Sequence, residues 1–254
     1  MEVTVKSIPM YYEEYGTGIP VLMLHGWPVD HRHMIADMEP LFQNRPGWRR
    51  IYPDMPGFGK TPAPEWITNQ DQMLEIASEF IRTVAPGQRF VVVGTSYGGY
   101  LARGFVYRQA SLIDGVFMLN PSIEPDPAKQ NYPPHQVLAE DPQFRAALSP
   151  QESYLPDLFV VHNLENLEAF RTHMLPAVTT ADHAFLNRLG DDSAFSFPVD
   201  ELTTPFPAPA LIITGRQDAM CGYREAWQIL DNYPRATFAV IDRAGHSCPT
   251  SKRV

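Results

Sequence analysis

Apolar residues recur along the chain in two rhythms. Short runs at 21–24, 90–93, 115–119, 210–214 and 237–241 are nearly continuous, too apolar for strands with one wet face. They read as strands buried on both faces, the habit of parallel sheets. Segments 2–8 and 10–15 predict two further strands before the Gly16-Thr17-Gly18 punctuation, and 50–52 predicts another. The second rhythm is helical. Met73, Ile76, Ala77, Phe80, Ile81 and Val84 fall at i, i+3, i+4, i+7, i+8 and i+11, and Pro86-Gly87 closes the segment. Helices are also expected over 34–42, over 223–233, and from the end of the 90–93 run to about 108. Strands alternating with helices predict an α/β fold, a mostly parallel sheet with helices on both faces.

The alternation stops between Leu119 and Ala210. That stretch is Pro-rich at first and then helical in character, notably over 163–175 and 180–189, with no buried strand run. Because the sheet resumes afterwards, we read residues 121–206 as a helical cap inserted over the strand ends. Residues 1–120 and 207–254 form the core.

Composition narrows the function classes. The chain has 254 residues, 44% hydrophobic and 19% charged, as in ordinary soluble globular proteins. Its net charge of −9 argues against nucleic acid or an anionic membrane surface as partner. No apolar run approaches the ~18–20 residues of a membrane span, and no basic-then-apolar leader opens the chain. The expectation is a cytoplasmic protein, monomeric or homodimeric. Residues 122–205 carry 13 acidic against 4 basic residues, so the whole net charge falls on the cap.

Candidate chemistry sits at the ends of the predicted strands. The 90–93 run leads directly into Gly94-Thr95-Ser96-Tyr97-Gly98, the G-x-S-x-G elbow that lifts a serine off a strand on a sharp turn. An acid and a histidine should follow in that chain order, each just past a later strand. Asp218 follows the 210–214 run and His246 follows the 237–241 run. In this arrangement His246 is the general base for Ser96, and Asp218 orients it. The backbone N–H groups of Tyr97 and Trp27 are the expected oxyanion donors. His25, Gly26 and Phe58 are expected to line the pocket. Glu124 is the fallback acid if Asp218 does not serve.

These motifs, with Asp54-Met55-Pro56-Gly57-Phe58-Gly59 and Gly215-Arg216-Gln217-Asp218, resemble the capped branch of the α/β-hydrolase superfamily over nearly the whole length. The resemblance implies the α/β-hydrolase fold and a serine hydrolase with no cofactor or metal, acting on a small molecule. It leaves the substrate open. A carboxylesterase for small to medium neutral esters is the first reading. A C–C bond hydrolase, a proline-type aminopeptidase or a slow-turnover ligand sensor are the alternatives. Members usually carry a helix of roughly four turns after the histidine, whereas residues 247–254 lack apolar periodicity.

Other signals carry less. Gly59-Lys60-Thr61 resembles the end of a P-loop, but Asp54 occupies the position of its first glycine. His31 and His33 lack further ligands at metal spacing and are expected at the surface. His135, His162, His173 and His183 are expected to be satisfied or solvated. Cys221 and Cys248 follow Asp218 and His246 closely, so they are expected near each other, as free thiols.

Overall fold

The continuous apolar runs become the middle of one sheet in the computed structural model, which describes residues 1–126, 128–190 and 194–246. Strands β1 (Glu2–Val5) and β2 (Ile8–Tyr15) form an antiparallel hairpin. Then come β3 (Gly18–Leu24), β4 (Gly47–Pro53), β5 (Phe90–Thr95) and β6 (Ile113–Leu119). Two-residue strands β7 (Ala139–Glu140) and β8 (Val161–His162) pair only with each other, and β9 (Ala210–Gly215) and β10 (Ala236–Ile241) complete the set. The eight-stranded sheet runs β1-β2-β4-β3-β5-β6-β9-β10 and is parallel from β4 to β10.

The run 21–24 shows why these strands are apolar throughout. Leu22 and Leu24 point into one core cluster, and Val21 and Met23 into the other. Val92 and Val93 divide in the same way. Helix α1 (His31–Met38) supplies Met34 and Met38 to the smaller cluster. On the opposite face, α2 (Gln70–Val84) buries Met73, Ile76, Ala77, Phe80 and Ile81, the predicted stripe. Asn69 caps α2 by accepting from the Gln72 N–H at 3.0 Å. Helix α3 (Tyr97–Gln109) packs beside α2.

Chain order gives the site its place. The chain passes from β3 to β4 on one side, then crosses to β5 on the other side of β3. The strand order reverses there, which opens a crevice at the carboxyl ends of β3 and β5. The loop beginning at His25 and the turn at Ser96 both open into it. The crossing is tight. A Cβ on Gly98 would collide with the Leu24 carbonyl, which is backbone and cannot step aside. Gly98→Ala is therefore expected to cost about 3 kcal/mol or more, read as a lowered urea midpoint at unchanged m-value.

Between β6 and β9 lie α4 (Pro142–Ala147), α5 (Leu164–Ala169), α6 (Leu175–Thr180) and α7 (His183–Gly190). A π-turn at Phe170–Met174 joins α5 to α6. Pro176 offers no N–H and would crowd the carbonyl four residues back, so the wider turn accommodates it. Phe144, Leu155, Phe159, Leu167 and Phe170 make a small core of their own. Phe185, Leu186 and Leu189 of α7 instead join the main core. The β7–β8 pair is a departure from the expected absence of strands, too short to leave a hydrophobic pattern. Arg103 of α3 is fully buried, donates to the Ser122 and Ile123 carbonyls and pairs with Asp200. It thereby fastens the segment between β6 and β9 to α3 near both of its ends. No helix among the described residues is long and apolar enough to cross a membrane.

Candidate active site

Ser96 sits between β5 and α3 with φ +52° and ψ −115°. That left-handed conformation is strained for serine by about 1–3 kcal/mol and persists only where its surroundings fix it. Here they do. The Ser96 N–H donates to the Leu119 carbonyl at 3.0 Å, and the Ser96 carbonyl accepts from Tyr100 at 3.1 Å and Ser122 at 3.0 Å. The side chain is thus presented at the mouth of the crevice.

Residues far apart in the chain converge on it. His246 Nε2 lies 3.0 Å from Ser96 Oγ, and His246 Nδ1 lies 2.9 Å from Asp218 Oδ2. The other Asp218 oxygen accepts from the N–H groups of Met220 at 2.8 Å and Cys221 at 3.0 Å. Burial pushes the Asp218 carboxyl up, but the charge of His246 and these hydrogen bonds outweigh it, and the net direction is down. For His246, burial pulls the imidazole down, and the charge of Asp218 leads the opposing causes. The result lies well above its ordinary 6.5.

The sequence reading missed Asn120. It is buried directly after β6 with φ +43°. Its Oδ1 accepts from the Gly215 N–H at 2.8 Å, and its Nδ2 donates to the His246 carbonyl at 2.6 Å. It therefore ties the end of β9 to the loop carrying His246. A buried polar residue just past an apolar strand is the only signal the sequence holds for it. Glu124, the fallback acid, forms no hydrogen bond or ion pair with His246 and lies on the wall of the cavity in front of Ser96.

Tyr97 is the first residue of α3, so its N–H has no carbonyl partner within the helix. Its hydroxyl donates to Gln70 Oε1 at 2.7 Å, and burial holds that hydroxyl well above its ordinary range. Gly26 comes close enough that a Cβ there would sit 3.4 Å from the Ser96 Cβ, which brings the following Trp27 to the same opening.

The cavity in front of Ser96 encloses about 270 Å³. Trp27, Tyr97, Tyr100, Met220 and Cys221 give it an aromatic and soft wall, and Gln70, Gln130 and Glu124 its polar points. His25, Gly26 and Phe58 do not line it, contrary to expectation. The His25 and Phe58 side chains are fully buried behind it. Phe58 packs edge-on beneath Trp27 at 5.3 Å between ring centres. The His25 ring bonds the Gly26 carbonyl at 2.8 Å and accepts from the Met55 N–H at 3.1 Å. Burial lowers its pKa and keeps the ring neutral. These two residues hold the loops that form the wall.

His31 and His33 also depart from expectation. They are 4% and 6% exposed, not at the surface. His31 Nδ1 lies 2.7 Å from Asp54 Oδ1, a carboxylate 23 residues away that the local spacing could not reveal. Cys221 is a buried free thiol, with Sγ 3.9 Å from Ser96 Oγ. Cys248 falls outside the described residues. Among the described residues, two groups have donor atoms close enough to share a cation: Asp218, Cys221 and His246, and Asp30, His31 and Asp54. In both groups the carboxylates already accept hydrogen bonds from protein donors.

Comparison with known proteins agrees with this architecture. A structure of an alpha/beta superfamily hydrolase from Oenococcus oeni superposes with a TM-score of 0.87 at 26% identity, covering 98% of this chain and 92% of that one. The AB hydrolase superfamily protein YisY of Bacillus subtilis is 26% identical over 131 residues, and the match spans 48% of its length and 51% of this chain. A 2-hydroxy-6-oxo-6-(2'-aminophenyl)hexa-2,4-dienoic acid hydrolase of Metapseudomonas resinovorans is 20% identical across 96% of this chain and 83% of its own. Residues 21–252 match the model of the alpha/beta hydrolase family, and the chain belongs to that family.

Proposed function

We propose that the protein is a serine hydrolase, a carboxylesterase for small to medium neutral esters. The observation that carries this reading is the Ser96–His246–Asp218 chain of contacts at 3.0 and 2.9 Å, opening on a cavity. In this reading Ser96 Oγ–H donates to His246 Nε2, and His246 Nδ1–H donates to Asp218. Ser96 attacks the ester carbonyl as His246 takes its proton. The developing oxyanion is met by the N–H groups of Tyr97 and Trp27. His246 then passes the proton to the leaving alcohol, and a water activated by the same imidazole releases the acid. Cofactors and metals have no part in these steps. Residues 121–206 act as the cap that closes over the acyl group.

A cavity of about 270 Å³ suits a short acyl chain. No Lys or Arg lines it among the described residues. A hydrolase of a dienoic acid would have to place a carboxylate there beside Glu124 without a cationic partner. This disfavours the C–C hydrolase alternative on electrostatic grounds. The test is a fluorophosphonate probe with 4-nitrophenyl acetate kinetics. Labelling of Ser96 alone and a burst of one equivalent of nitrophenol support the reading, and labelling at another residue sinks it.

The pH profile follows from the histidine. The reaction needs neutral His246, and Asp218 holds its pKa above 6.5. Activity is therefore lost as pH falls through that raised pKa. The acid limb of kcat/KM is expected to have its midpoint above 6.5 and to move down when Asp218 is replaced by Asn. A limb that stays put in the variant would assign it to another group.

Asn120→Ala removes the tie between β9 and the His246 loop without touching the reacting atoms. Misplacing a catalytic group by an ångström costs up to about 10² in rate. We expect kcat to fall on the order of 10-fold to 10²-fold at nearly unchanged KM, measured by steady-state ester hydrolysis.

A further inference from the structure

The cavity in front of Ser96 shares a wall with a larger one. Tyr100, Glu124 and Pro125 line both, and the second encloses about 570 Å³. Their charges are one-sided. Among the described residues Glu124 is the only carboxylate on the Ser96 cavity, and no cation pairs with it. Its Oε1 accepts only the Asp126 N–H, at 2.9 Å. Among the described residues the second cavity adds Asp200, Glu201 and Glu225 against a single Lys129. Lys129 is already engaged by Asp126 at 3.3 Å, and Asp200 by Arg103. That leaves Glu124, Glu201 and Glu225 without a cationic partner among the described residues.

Glu225 is the more telling neighbour. It is 5% exposed, and its Oε1 accepts from the Asn131 N–H at 2.7 Å. Its Oε2 is buried with no hydrogen-bond partner. A buried carboxyl oxygen without a donor is costly. The Tyr132 hydroxyl lies 3.5 Å from the Glu124 carbonyl. That hydroxyl is held above its ordinary range by burial first, and then by the charges of Cys221, Glu225, Asp218 and Glu124. Glu124 and Glu225 both line the second cavity, and Glu124 also lines the one in front of Ser96. Among the described residues neither belongs to a group of three close ligand atoms that a metal ion would need. An organic ammonium needs only one carboxylate and a few acceptors.

We propose that Glu124, supported by Glu225, is a specificity-determining residue that selects esters whose acyl chain ends in a protonated amine. The acyl carbonyl sits at Ser96, and the chain runs past Tyr100 into the second cavity, where the ammonium meets the carboxylates. This inference rests on the serine-hydrolase reading above and replaces its neutral-ester preference with one for ammonium-bearing esters.

The experiment compares three 4-nitrophenyl esters of matched length: 6-aminohexanoate, heptanoate and the mono-ester of heptanedioate. Each is measured with the wild-type protein and with Glu124→Gln, at low and high salt. A hydrogen-bonded charge pair predicts that kcat/KM for the ammonium ester exceeds that for heptanoate by roughly tenfold or more at low salt, with the dicarboxylate last. The excess shrinks at high salt and disappears in Glu124→Gln. Each ratio is taken within one protein sample, so a loss of folded fraction cancels. Equal rates for the ammonium and neutral esters, or a preference that survives in Glu124→Gln, overturns the proposal while leaving the hydrolase reading intact. If none of the three esters turns over, the hydrolase reading fails. Calorimetric binding of hexylammonium, lost in Glu124→Gln, then still supports the ammonium site, and no binding overturns it.

Discussion

Ser96→Ala is expected to lower kcat for 4-nitrophenyl acetate by about 10⁶, to near the residual level of the oxyanion donors alone. The substitution removes the Oγ that lies 3.0 Å from His246 Nε2 and leaves nothing else in that position. Cys221 is the nearest alternative nucleophile, with its Sγ 3.9 Å from Ser96 Oγ. It is held by a loop that already serves Asp218, through the Cys221 N–H bond at 3.0 Å, and its sulfur does not stand at the elbow. Ser96→Ala should therefore leave no acyl-enzyme by mass spectrometry. The fold should be kept, because every backbone bond of the elbow is made by N–H and carbonyl groups that alanine retains. The left-handed φ of +52° is no easier for alanine, so a small stability change in either direction is tolerable. A loss below about 10³ would mean that another group attacks the ester.

The parallel sheet was legible because its strands are buried on both faces. A run such as Val21-Leu22-Met23-Leu24 can satisfy two cores at once, and few other structures need it. The α2 stripe was legible for the complementary reason, since one face meets the core and the other meets water. Boundaries were less so. Strand β2 begins at Ile8, ahead of Pro9, because β1 is an edge partner and the turn falls at Lys6 and Ser7, both with positive φ. Helix α1 begins at His31 because Asp30 caps it, and it gives way after Met38 to a tighter 3-10 turn that carries Pro40 near its start. The segment between β6 and β9 was least legible. Its helices are short, and its small core is only five buried residues spread over short turns between Phe144 and Phe170, too few per element to set a period.

At the site, the sequence revealed residue types whose place is fixed by a strand end. Ser96, Asp218 and His246 each follow an apolar run, so chain order alone predicted that they meet. The direction of a side chain is a different matter. His25 and Phe58 adjoin the motif, yet their rings point inward and support the loops instead of facing the cavity. Asn120 works through a 2.6 Å bond to a residue 126 positions later, and His31 through Asp54. Such long-range pairs leave no local spacing to read. Glu124 stood out only as a spare acid. Its placement on the cavity wall depends on how the chain turns after β6.

Asp218→Asn is the sharper test of the proposed roles. The carboxylate has two jobs that asparagine separates. Its Oδ1 accepts from the Met220 and Cys221 N–H groups, which an amide oxygen can still do. Its Oδ2 faces His246 Nδ1 at 2.9 Å, and there the substitution places an NH₂ that donates. A donor at that position stabilises the imidazole tautomer protonated on Nε2, which cannot take a proton from Ser96. The imidazolium formed during attack also loses its nearby negative charge. Together these effects are expected to lower kcat by about 10³–10⁴ with KM little changed. Because the loop keeps its backbone bonds, the thermal midpoint should move far less than it would for a change that left Oδ1 empty. The rate should partly recover at high pH, where hydroxide assists directly. A loss of less than tenfold would mean that His246 is oriented by another acid, and the 2.9 Å contact would then be structural.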